Sequence, residues 1–102
     1  MNVTTWNNGK PKGSGSGYGV RISKQDRDVY FNKAWTHVEI DIPGAGTVKA
    51  TLSKSFWGTC PEIRSRHIGT WLISNGLASW AKGSPHIVKL TKIRGSRFRL
   101  HR

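Results

Sequence analysis

"THVEIDIPGAGTVKATL" (Thr36–Leu52) decides how this chain folds. Val38, Ile40 and Ile42 alternate with His37, Glu39 and Asp41, the two-residue period of a strand with one buried face. Pro43-Gly44-Ala45-Gly46 is strong turn chemistry. Val48, Ala50 and Leu52 then resume the alternation, with Lys49 on the other side. Two such runs around a glycine-rich turn predict a β-hairpin, and the elements around it predict a sheet that closes on itself.

Outward from the hairpin the signals are shorter. Upstream, Tyr18, Val20 and Ile22 alternate with Gly19, Arg21 and Ser23, which predicts another strand. Ser23 then suits a helix cap, with Asp26 in the capping-box position, and a short helix is expected from Lys24 to about Phe31, tucking Val29, Tyr30 and Phe31 under the fold. Downstream, Thr59 followed by Pro61 and Glu62 has the chemistry of a helix start. It is expected to feed a main helix from Ser65 to Asn75, with Ile68, Trp71 and Leu72 on one stripe and Gly76 at the stop. "HIVKLTKI" and "RFRLH" predict a last hairpin around Arg94-Gly95-Ser96, with Phe98 and Leu100 inward. Residues 1–17 are rich in Asn, Gly, Lys and Ser, a composition that buries little, and are expected to form a flexible basic arm. Residues 18–102 then form one domain. The predicted class is α+β: a small, mainly antiparallel, barrel-like sheet of five to seven strands, one main helix and one or two short helical turns.

The chain of 102 residues suffices for one core, which in a domain this size buries about two-thirds of the unfolded surface. Five tryptophans, three phenylalanines and two tyrosines compensate for a hydrophobic content of only 35%. Seventeen Lys and Arg against five acids give a net charge of +12. Such a field attracts polyanions, and neutralising phosphates releases counterions. No long apolar run, basic amphipathic helix or leader-like N-terminus points to a membrane or to export, so a cytoplasmic or nucleoid-associated protein is expected. Cys60 is the only cysteine, which excludes an internal disulfide and a cysteine-based zinc site.

The cations group by place. Lys10 and Lys12 lie in the arm. Arg21, Lys24 and Arg27 surround the end of the first strand. Lys54, Arg64 and Arg66 surround an aromatic loop holding Phe56 and Trp57. Arg97 and Arg99 decorate the last hairpin. Basic side chains interleaved with aromatics suit a nucleic-acid surface, although Phe56 and Trp57 equally suit a core. The expected site is therefore Lys10, Lys12, Arg21, Lys24, Arg27, Lys54, Trp57, Arg64, Arg66, Arg97 and Arg99, binding double-stranded DNA ahead of RNA. No cofactor, metal or small-molecule substrate is expected. The rival class is a basic module docking an acidic protein. Enzyme patterns are thin. Glu39, Asp41 and Lys49 echo a nuclease pattern that fails at Thr47, where a carboxylate belongs. The four histidines are scattered, and Cys60 and His67 are close only in sequence. The glycine run at 13–17 precedes a strand and lacks the Gly-Lys-Ser/Thr ending of a nucleotide-binding loop.

From Tyr30 to Leu100, with "DRDVYFNKAW" leading in, the order of features resembles the plant B-three-type DNA-binding pseudobarrel. "TLSKSFWGTCPEI" sits where that family has an aromatic loop after a hairpin, and "LASWAKGSPHIVKL" where it has a turn before a strand. The resemblance implies two arms gripping the major groove. One maps to Arg21, Ser23, Lys24 and Arg27; the other maps to Ser53, Lys54, Ser55, Trp57, Arg64 and Arg66.

Overall fold

The computed structural model describes residues 1–102. Seven strands form one sheet: β1 Asn2–Asn7, β2 Tyr18–Arg21, β3 His37–Ile42, β4 Gly46–Thr51, β5 Glu62–Arg64, β6 Ile87–Arg94 and β7 Arg97–His101. Their spatial order is β4-β3-β7-β6-β1-β2-β5, and β4 returns beside β5, so the sheet is a nearly closed barrel. All pairings are antiparallel except β3 with β7. Two helices, α1 Lys24–Tyr30 and α2 Arg66–Ser74, and a 3-10 turn at Lys54–Trp57 complete the α+β domain.

The decisive hairpin forms as its alternation dictates, with Val38 opposite Ala50 and Ile40 opposite Val48. Val38, Ile40, Ile42, Ala50 and Leu52 enter the barrel, joined by Phe98 and Leu100 from β7 and by Val88 and Leu90 from β6. Phe31 stacks on Phe98 with ring centroids 4.7 Å apart and tilts against Phe56 at 5.1 Å. Each such pair adds about 0.5–1.5 kcal/mol beyond the area it buries. Ser23 caps α1, its Oγ accepting from the Asp26 N–H at 3.1 Å. Ser65 caps α2, and Gly76, at φ +69°, ends it.

Three expectations need correction. The first seventeen residues are not a loose arm, because Asn2–Asn7 is an interior strand held by β6 on one side and β2 on the other. Val3 and Thr5 point inward, and Thr5 Oγ1 accepts from the His86 N–H. β-branched Val3, Thr4 and Thr5 beside Trp6 are strand formers, and the glycines that follow masked them. Next, Thr59–Glu62 does not start a helix: Glu62 opens β5, and the helical turn comes earlier, at Lys54–Trp57. Finally, Phe31 alone of the predicted trio is buried, while Val29 and Tyr30 face solvent.

The glycine run is equally fixed. The Lys12 N–H donates to the Ser16 carbonyl and the Asn8 N–H to the Gly17 carbonyl. Gly15, at φ +93°, lies flat on Gly69 of α2; a Cβ on Gly69 would stand 2.0 Å from the Gly15 oxygen. Only a side-chain-free residue in a left-handed conformation fits there.

Candidate nucleic-acid interface

The outward positions of β1, β2 and β5 make one continuous face. Register places Thr4, Arg21 and Glu62 in one row across the three strands, and Trp6, Gly19 and Arg64 in the next. Glu62 is only 4% exposed, yet it points among cations. Its Oε2 accepts from Arg21 Nε at 3.2 Å and Nη2 at 3.1 Å, and its Oε1 accepts from Arg64 Nη2 at 3.3 Å. One carboxylate thus holds two guanidiniums whose side chains are more than half exposed. The Arg64 guanidinium also lies over the Trp6 ring, 4.9 Å from its centroid. Gly19 lies between the two in the row, and a Cβ there would stand 2.2 Å from the Ile63 carbonyl oxygen.

Loops extend this face at both strand ends. Beyond Asn7 and Tyr18 the hairpin-like loop 8–17 carries exposed Lys10 and Lys12. At the same end Trp6, Asn8, Ser16, Gly17, Tyr18, Arg64, Ser65 and Arg66 line a groove of about 310 Å³. Beyond Arg21 and Glu62 lie Lys24, at the start of α1, and Lys54, in the 3-10 turn, both exposed. The two ends are close: Tyr18 to Arg21 spans about 10 Å at ~3.3 Å per residue.

The remaining expected site residues fall elsewhere. Arg27 belongs to the fold: it is 8% exposed, and its Nη1 donates to the Phe56 and Gly58 carbonyls, both at 3.0 Å. It pins the loop that carries Lys54 and lies 5.9 Å from the Trp57 ring centroid, with Nε on Asp28. Phe56 is a core residue, and Trp57 is half-buried against it. Arg97 and Arg99 sit on β7, separated from β2 by β6 and β1. Arg97 makes a two-pronged ion pair with Asp41 at 3.1 and 3.2 Å. A 2.6 Å hydrogen bond from Thr47 and the Arg97 bonds hold the Asp41 carboxyl below its usual range, and Asp41 in turn raises Arg97. The expected cations therefore form two groups on different parts of the barrel.

The groups considered for catalysis do not assemble. Asp41 is occupied by Thr47 and Arg97, and Glu39 pairs in register with Lys49. Cys60 and His67 flank β5 at opposite ends. His86 and His101 contact the Ser79 carbonyl and Thr91 Oγ1 in separate places. No three His, Cys, Asp or Glu side chains form a metal-sized cluster.

Sequence reasoning missed Trp6, Gly19 and Glu62. For Trp6 the signal was present in "VTTW", whose consecutive β-branched residues beside an aromatic favour a strand. For Glu62 there was none, because its partner Arg21 lies 41 positions away. Searches against protein-family models, curated proteins and solved structures found no match to this chain.

Proposed function

We propose that this chain binds double-stranded DNA without catalysis, through the outer face of β1, β2 and β5. The observation that carries this is the arrangement of that face. Two arginines fixed on strands lie between Lys10 and Lys12 of the 8–17 loop with Arg66 at the start of α2, at one end, and Lys24 at the start of α1 with Lys54 of the 3-10 turn, at the other. Flexible lysines at the rim suit phosphates, which position a protein on the duplex, while rigid forks between them suit base edges. The strand between the two rims, Tyr18–Arg21, is about 10 Å long at ~3.3 Å per residue, short enough to lie within the major groove of B-DNA, about 12 Å wide. A-form RNA presents a deep, narrow major groove that strand-borne side chains enter poorly, so DNA is the better match. The resemblance to B-three-type pseudobarrels points to the same ligand, with one change: Arg27 holds the Lys54 loop from beneath and does not touch the duplex.

The test compares two double variants on a labelled duplex at fixed salt. Lys54→Ala with Arg64→Ala is expected to weaken binding at least about tenfold without unfolding, because it removes a rim charge and a central fork. Arg97→Ala with Arg99→Ala, on the other part of the barrel, is expected to stay within about twofold. Equal losses from both pairs, or none from the first, would remove the β1-β2-β5 face from the site. Single-stranded RNA and heparin, run over the same salt series, separate duplex recognition from general polyanion attraction and from a protein-docking role.

A further inference from the structure

We infer that Arg21 and Arg64 read guanine bases in the major groove and that Glu62 is the residue that sets this specificity. The inference rests on the duplex-binding reading above and names what its central face does.

Three observations separate these two arginines from the other cations. They share one buried carboxylate, so their combined charge is halved: two positive groups against one negative. A residue meant only to attract phosphate gains nothing from that neutralisation, whereas a residue meant to discriminate gains a fixed direction. Their planes are also set from more than one side. Glu62 takes Nε and Nη2 of Arg21, leaving Nη1 and the outer edge free. It takes only Nη2 of Arg64, whose plane is further set by the Trp6 ring at 4.9 Å. Finally, both side chains project from paired strands, not from loops, so the backbone beneath them is rigid. A fork of donors held in place suits guanine, which offers two acceptors, O6 and N7, on its major-groove edge. Lys10, Lys12, Lys24 and Lys54 have none of these restraints and suit phosphate.

Glu62 is accordingly a positioning residue: it acts through the arginines and lies too deep to touch DNA. Glu62→Gln keeps size and shape, removes the charge that orients both forks, and so raises the net charge of the face by one. Arg64→Lys keeps the charge and removes the fork.

The experiment selects duplexes from a random library with the wild-type protein and with each variant, and confirms folding by circular dichroism. Retained duplexes are then remade with 7-deazaguanine, which lacks the N7 acceptor. Wild type is expected to enrich guanine at fixed positions and to lose roughly tenfold or more in affinity on 7-deazaguanine substitution. Glu62→Gln and Arg64→Lys are expected to keep a salt slope at least as steep as wild type, while the guanine preference and the 7-deaza penalty shrink at every read position in Glu62→Gln and at one position, the one Arg64 reads, in Arg64→Lys. A wild type that binds duplex with a steep salt slope but no guanine preference, or variants that keep the preference at those positions, would overturn this inference alone. A wild type that fails to bind duplex would overturn the proposed function with it.

Discussion

The Arg64 guanidinium reaches the Trp6 ring by passing over Gly19, the one residue of the intervening strand that has no side chain. A strand pair near the N-terminus and β5, some forty residues later, are thus locked at a single row. A Cβ on Gly19 would stand 2.2 Å from the Ile63 carbonyl oxygen and 3.0 Å from the Arg64 Cα. Both are backbone, which yields little. Gly19→Ala is therefore expected to destabilise the domain by about 1–3 kcal/mol, the usual cost of overpacking, and to lower the thermal midpoint by several degrees. Trp6→Ala leaves the backbone contact intact and is expected to loosen Arg64 with a smaller change in melting temperature. Thermal melts of both variants check the difference.

The loop that bears Lys10 and Lys12 is held to α2 by the contact of Gly15 with Gly69. In Gly69→Ala the new methyl group meets the Gly15 carbonyl, and the helix itself gains propensity. The expected result is a loop lifted off an otherwise intact barrel. Hydrogen exchange should accelerate at the Gly15 and Lys12 amides while the β6 and β7 amides keep their protection. Unchanged exchange in the loop would show that it is held by its own turns alone.

Arg27 donates to two carbonyls from beneath the Lys54 loop. Arg27→Ala strands the buried Phe56 carbonyl and removes a partner of the part-buried Gly58 carbonyl, which is expected to lower stability by about 1–3 kcal/mol. Denaturant melts measure this directly. Binding per folded molecule should fall less than in Arg64→Ala. A large affinity loss with unchanged stability would instead put Arg27 at the ligand.

Asp41 gives a pH signature. Thr47 and Arg97 hold its folded-state carboxyl below the ordinary value, so the ionised form is favoured in the fold. That contribution is fully present above the unfolded-state pKa, near 4, and is lost as pH falls through the lower folded-state value. Wild type is expected to be more stable than Asp41→Asn at neutral pH, with the gap narrowing only below about pH 4. The pair lies at the surface, with the Arg97 side chain 45% and the Asp41 side chain 20% exposed, so solvent screens it, and the gap is small and shrinks with added salt. Paired denaturant melts at neutral and acid pH test it.

Much of the barrel was legible in the chain because alternation is a local property. Thr36–Leu52, the last hairpin and the Ile68-Trp71-Leu72 stripe each declare an inward face within fewer than twenty residues, and each forms as expected. The first strand was hidden because Val3 and Thr5 supply only two inward residues, followed by a run whose composition resembles a tether. That run is ordered by a contact with α2, more than fifty positions away. Glu62 shows the same limit from the other side. After Thr59 and Pro61 a carboxylate fits the first turn of a helix as well as it fits a strand, and local chemistry does not separate the two.

By itself the sequence determined a small, strongly basic α+β domain with alternating strands around an aromatic-rich core, because charge and hydrophobic period are written residue by residue. The tertiary structure decided which cations face together. It buried Arg27 beneath a loop, set Arg97 and Arg99 on a separate part of the barrel, gathered Arg21 and Arg64 around Glu62, and laid Arg64 over Trp6. Strand register governs those meetings, and register emerges only when distant segments pair and close the barrel.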